Sequence, residues 1–224
     1  MALAHLVRSD FLYSVHFQVE SRNGSYVLLD NGAFEDSMVG IDELVNVAEE
    51  IEATEMVLPD SIGDGKATVR AVTDALEYVV SRGHHKYHRL MAVAQGADLY
   101  EWSMCAEQLL DIPEIDTLGI PKKLLTDVGP NARARALQLV KNRLNGRKTH
   151  LLGCGENPAE PRRVNNEHPG VVRGVDSSIA YVYSVEYKRV REGLRPDYTI
   201  DFVEPATCDS RLLRVNMFEW EGIE

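Results

Sequence analysis

The sequence predicts an α/β fold, a (β/α)8 barrel of TIM type that is somewhat truncated and irregular. Two observations carry this expectation. Eight short apolar runs have strand character, and amphipathic segments of helical period separate most of them, an alternation that favours a parallel barrel over an open doubly wound sheet. Several of the runs also end in an acid, an amide or a glycine, which places polar groups at strand ends, where parallel α/β folds hold their chemistry.

Taken in order, Phe11–Val19 is rich in aromatic and β-branched residues and alternates, so it reads as a first strand. After the turn Ser21–Ser25, the run Tyr26–Asp30 is a second strand, with no helix between the two. Ile41–Ile51 carries Ile41, Leu44, Val45, Ala48 and Ile51 at helical spacing under an acidic outer face. Met56–Asp60 is a short strand ending in an acid, and Ala67–Val80 is a helix. The pattern repeats as strand Leu90–Gly96, helix Leu99–Leu110, a weaker strand Ile115–Pro121 and a helix over Ala132–Leu144. Strand Thr149–Gly155 leads into a Pro- and Asn-rich loop, Asn157–Pro169. Strand Val171–Asp176, helix Ser177–Arg191 and strand Asp197–Val203 follow. The 224 residues fall slightly below the ~250 usual for such a barrel. With no internal repeat, low-complexity tract or linker, a single domain over 1–224 is the simplest division.

Composition narrows the class. With 44% hydrophobic and 26% charged residues the chain has the make-up of an ordinary globular protein. Neither a bilayer-length apolar run nor a signal peptide is legible, so a cytoplasmic location with no membrane association is expected. Three widely spaced cysteines form neither a disulfide framework nor a Cys-x-x-Cys zinc site, and no metal is expected. The sequence His84-His85-x-x-His88 follows a glycine at a helix end and reads as a solvated turn rather than a metal site. The net charge of −11 argues against a polyanionic partner, but between Asn131 and Arg195 there are 13 Lys and Arg against 6 Asp and Glu. That segment could face phosphates or could form solvated helix faces.

In a barrel, the strand ends bring Asp30, Asp60, Gln95, Gly119, Gly153 and Asp176 to one mouth. Asp30-Asn31-Gly32 taken alone is equally a tight turn, because these residues tolerate left-handed backbone geometry. Carboxylates converging with an amide suit a neutral, hydrogen-bonding substrate. A guanine-like edge offers N–H donors to an aspartate and a carbonyl to an amide or backbone N–H. A second carboxylate near a sugar C1′ could attack it or stabilise oxocarbenium charge. A sugar or aldol-type barrel would share this composition.

The motifs resemble those of tRNA-guanine transglycosylases. Leu29-Asp-Asn-Gly-Ala-Phe-Glu35 is similar to the Asp-Ser-Gly-Gly-Phe-Gln signature, and Val57-Leu-Pro-Asp60 to the base-reading aspartate segment. Val93-Ala-Gln-Gly96 resembles Val-Gln-Gly-Gly, and Leu118-Gly119-Ile120 resembles Ile-Gly-Gly. Thr149-His-Leu-Leu-Gly-Cys-Gly155 resembles Tyr-Leu-Met-Gly-Val-Gly, and Arg173-Gly-Val-Asp176 the start of Gly-Ile-Asp-x-Phe-Asp. The six occur in the family's order over about Leu28–Ser178. The resemblance implies that Asp30 is a general acid/base and sugar contact. It further implies that Phe34 stacks near the base, that Asp60 and Gln95 read its edge, that the Gly119 N–H binds its carbonyl and that Leu152 packs on one face, with Asn31, Gly96 and Gly153 as further substrate-binding residues.

Two departures qualify the resemblance. The family's nucleophile is the second aspartate of its last motif, and Ile179 stands there. Asp176 matches the first aspartate; either it has taken over the attack, or Asp30 has, or the chain is not catalytic. The family's zinc-binding subdomain is also missing, which makes the chain more like shortened phage-type relatives that insert 7-deazaguanine bases into DNA. The implied partners are DNA, alternatively tRNA, and a 7-deazaguanine base, with no cofactor; a homodimer is compatible. A non-catalytic nucleobase- or nucleic-acid-binding barrel is the expectation from a different class.

Overall fold

The computed structural model describes residues 1–33, 37–154, 159–190 and 210–221. Seven strands form one parallel sheet in sequential order: β1 (Ala2–Leu3), β2 (Leu28–Asp30), β3 (Glu55–Val57), β4 (Arg89–Val93), β5 (Thr117–Ile120), β6 (Lys148–Leu151) and β7 (Val172–Val175). The helices are α1 (Ala4–Ser9), α2 (Phe11–Arg22), α3 (Ile41–Glu50), α4 (Gly65–Ser81), α5 (Leu99–Leu110), α6 (Lys123–Val128), α7 (Ala132–Val140), α8 (Ala159–Glu167), α9 (Ile179–Val185) and α10 (Ser210–Glu221). Among the described residues no ladder joins β7 to β1, so the sheet is an incompletely closed barrel surrounded by helices. No described helix is long and apolar enough to cross a membrane.

The core has two parts, as a barrel requires. The larger lies between the sheet and its helices and includes Leu29, Leu44, Met56, Leu58, Leu90, Trp102, Leu118 and Leu151. The smaller fills the barrel interior with Leu28, Val57, Met91 and Val93, against which Leu152 packs. Adjacent residues such as Leu28 and Leu29 fall in different parts because strand side chains alternate between faces.

A polar layer ties the floor of the interior together. Glu55 on β3 is fully buried; its Oε1 accepts from Thr117 Oγ1 at 2.6 Å and its Oε2 meets Arg173 Nη2 at 2.6 Å. The Arg173 guanidinium also lies 4.5 Å over the Tyr26 ring and donates to its hydroxyl. Burial, reinforced by the Glu55 charge, pushes the Tyr26 phenol up to about 12. Arg173 thereby connects the last strand to residues on and beside β3 and β2, across the seam that the ladder leaves unpaired. A β-bulge between β6 and β7 accompanies it: Thr149 faces Val172, but His150 faces Gly174, one residue further on.

The expected first strand, Phe11–Val19, is instead helix α2. Asp10 caps it, its carboxylate accepting from the backbone N–H of Leu12 at 2.8 Å and Tyr13 at 3.1 Å. Tyr13 and Phe17, one helical turn apart, pack edge-to-face at 4.9 Å, while Phe11 and Leu12 are largely exposed. A capped helix with an i, i+4 aromatic pair outweighs the weak strand propensity of its residues. The place of the first strand is taken by Ala2–Leu3, two residues too short to give a periodic signal. Among the described residues the sheet therefore has seven strands, and Asp197–Val203, the remaining expected strand, lies outside them. The helix expected over Ser177–Arg191 is confined to Ile179–Val185, and part of the loop Asn157–Pro169 folds as α8.

Candidate functional site

The C-terminal strand ends surround a cavity of about 500 Å³, within the range of small-molecule sites. Asp30, Asn31, Asp60, Gln95, Leu152, Gly153 and Asp176 all line it.

Asp30 ends β2, and the next two residues fold back on their own side chains. Asp30 Oδ1 accepts from the Gly32 N–H at 2.9 Å, and Asn31 Oδ1 from the Ala33 N–H at 2.7 Å. Gly32 has φ +79°, and a Cβ there would sit 2.8 Å from the Ser37 carbonyl oxygen, so the turn requires glycine. The tight turn and the rim position are thus one arrangement, the turn being what presents Asp30 to the cavity.

Asn31 is almost completely buried and links two strand ends, donating to Leu58 O at 2.9 Å and to Asp60 Oδ1 at 3.3 Å. Asp60 Oδ2 accepts from Gln95 Nε2 at 2.5 Å, and Gln95 Oε1 accepts from the Gly63 N–H at 3.3 Å. Burial holds the Asp60 carboxyl above the usual carboxylate range, against the opposing effect of the Gln95 and Asn31 hydrogen bonds. An acid so held can accept hydrogen bonds from a ligand or keep a proton, according to pH.

Gly153 follows β6 with φ +63° and donates its N–H to Asp176 Oδ2 at 2.9 Å. Asp176 in turn continues the β6–β7 ladder, its backbone carbonyl accepting from Cys154 N at 2.8 Å. Behind this corner, fully buried Arg133 on α7 pairs with Glu160 Oε2 at 2.6 Å and donates to Leu152 O at 2.8 Å. Cys154 lies against the same guanidinium, and burial pushes its thiol up to about 11.

Other expected site residues fall elsewhere. Gly96 does not line the cavity; a Cβ on it would lie 2.3 Å from Trp102 N, so its glycine lets α5 approach the strand end. Gly119 lies within β5 below the mouth, and a Cβ there would meet Val93 Cγ2 at 2.9 Å and Leu152 Cδ1 at 3.0 Å. Phe34 lies outside the described residues. Ile179, at the position of the family's nucleophile, packs on the main apolar core and is not among the cavity residues, whereas Asp176 is.

The structure adds groups that sequence reading missed. Met1 lines the cavity, and its amino group is depressed by burial against the attraction of Asp176 and Asp30. Lys122 and Lys123 stand at the rim, the Lys122 stem lying over Gly153 and Lys123 pairing with Asp127 at 3.1 Å. Their signal was faint: two cations directly after the Pro121 that ends an expected strand. By contrast, many cations of the basic segment are engaged within the fold. Arg133 and Arg173 are in the pairs above, Arg143 meets Asp111 at 2.6 Å, and Arg147 donates to the carbonyls of Leu110, Ile112 and Ile115. The histidines of the 84–88 turn are also engaged, His84 with Glu49 at 2.9 Å and buried His88 with the Ala53 carbonyl at 2.7 Å.

No family model matches the chain, and no curated protein matches it significantly. The fold, an irregular parallel barrel with a cavity at its strand ends, is compatible in general with an enzymatic or a nucleic-acid-binding role.

Proposed function

We propose that the protein is a base-exchanging transglycosylase that replaces a guanine of DNA with a 7-deazaguanine base through a covalent glycosyl-enzyme intermediate. The observation that carries this reading is the meeting of Asp30, Asp176, Asp60 and Gln95 on a single cavity. It gives the resemblance in sequence motifs a spatial counterpart: two carboxylates for glycosyl transfer beside an acid–amide pair suited to a purine edge.

In this mechanism Asp176 forms a bond to C1′ as the C1′–N9 bond breaks. The bonding electrons leave with guanine, which takes a proton from Asp30. The incoming base returns a proton to Asp30, bonds to C1′ through its own ring nitrogen and releases Asp176. Asp60 and Gln95 hold the base edge, Leu152 covers one face, and Lys122 at the rim meets the neighbouring phosphate. The target base leaves the duplex stack to reach the cavity. No cofactor enters, because one glycosidic bond is exchanged for another.

The test is incubation with a labelled 7-deazaguanine base and either duplex DNA or tRNA. Label in DNA is expected; label in tRNA alone assigns the same chemistry to tRNA. The absence of the family's second aspartate supports a separate reading, a nucleobase-binding barrel without catalysis. That reading predicts base binding that survives Asp176→Asn and no covalent adduct with nucleic acid by mass spectrometry.

A further inference from the structure

Beneath Asp176 lies a buried group that the mechanism above does not use. His150 sits on β6, two residues before Leu152 and on the same face, and is only 7% exposed. Its neighbours in register on both sides are glycines, Gly119 on β5 and Gly174 on β7. A Cβ at Gly174 would lie 3.2 Å from His150 Nδ1, so the missing side chain makes room for the ring. Neither ring nitrogen has a hydrogen-bond partner among the described residues, and the same is true of Asp176 Oδ1. These unmet groups face each other: His150 Nε2 is 3.4 Å from Asp176 Oδ1, within ion-pair reach though not aligned as a hydrogen bond.

We infer that His150 is the positioning residue of Asp176, its Nε2–H holding Oδ1 from inside the barrel while the Gly153 N–H holds Oδ2 from the rim. Leaving two buried polar groups unmet costs free energy that a slight closing of the 3.4 Å gap recovers. With both oxygens held, the carboxylate plane is fixed and each oxygen keeps a lone pair for C1′. Formation of the glycosyl ester removes the negative charge that His150 faces, and release of the intermediate restores it. His150 touches neither base nor sugar; it acts through Asp176. This role rests on the reading of Asp176 as the attacking group.

The first experiment needs no turnover: ring ¹⁵N spectra of histidine-labelled protein, with the His150 signal assigned by its loss in His150→Gln. A proton on Nε2, with a resonance that moves in Asp176→Asn, is expected. An unprotonated Nε2, or a resonance indifferent to Asp176→Asn, overturns the assignment. The second experiment follows adduct formation with duplex DNA. His150→Phe is expected to slow it by roughly tenfold or more, the effect of losing a hydrogen bond to a charged group, while His150→Gln, which retains an N–H donor, recovers much of the rate. Equal losses in the two folded variants overturn the positioning role. If the unsubstituted protein forms no adduct, the base-exchange reading fails, and the spectra still decide whether His150 holds Asp176.

Discussion

Gln95 donates its amide to Asp60 Oδ2 at 2.5 Å, joining the ends of β3 and β4 into one wall of the cavity. Gln95 is nearly buried and also accepts from the Gly63 N–H, so its amide orientation is fixed from both ends. Gln95→Leu removes both contacts with little change in volume. It is expected to cost about 1–3 kcal/mol, the range for stranding a buried polar partner, and to weaken binding of a guanine-type base. Urea denaturation and base titration measure the two effects.

The raised Asp60 carboxyl sets opposite pH trends for stability and binding. Because the folded state holds the proton more tightly than the unfolded chain, Asp60 favours folding at low pH, and this contribution is lost as pH rises through its folded pKa. Hydrogen bonds from a base edge need the ionised form, so base affinity is expected to fall as pH drops through the same value. Comparison with Asp60→Asn across acidic pH isolates both trends; parallel trends in stability and affinity would contradict the assignment.

Removing Arg173 should open the barrel floor. Arg173→Leu strands Glu55, which is fully buried, and is expected to cost ~3–5 kcal/mol. Adding Glu55→Leu removes the uncompensated charge and is expected to restore most of that loss. If the double variant is no more stable than the single one by chemical denaturation, the floor is not held in this way.

Cys105 and Cys154 are buried, and burial pushes each thiol up to about 11. The thiolate is the reactive form, so at pH 8 both are expected to resist a disulfide reagent in the native state and to react on unfolding. A Cys208→Ser variant leaves these two as the only thiols of the chain, and a fast-reacting native thiol in it would disprove their protection.

Much of the parallel architecture was legible because amphipathic helices and apolar strand runs leave periodic traces. Helix α5 occupies the predicted Leu99–Leu110, and the strand ends at Asp30, Asp60, Gln95, Gly153 and Asp176 reach one cavity. What was hidden depended on neighbours distant in sequence. Ala2–Leu3 is a strand only because β2 pairs with it. Glycine at 96 signalled a binding loop, although its lack of a side chain serves the approach of Trp102. The basic segment signalled a phosphate surface, but Arg133 and Arg147 are engaged with partners inside the fold, which a linear count of charge cannot reveal.

The bulge between β6 and β7 carries a final consequence. Leu152 projects into the cavity, and the shifted register sets Asp176 beside it, while Val175 turns to the helix-facing core. Side chains alternate with a period of two, so if the strands paired without the bulge the two would exchange places: Val175 would stand opposite Leu152 and Asp176 would turn toward apolar packing. The address of the carboxylate is therefore written in the pairing count: leaving Arg173 out of the ladder is what brings Asp176, rather than Val175, opposite Leu152.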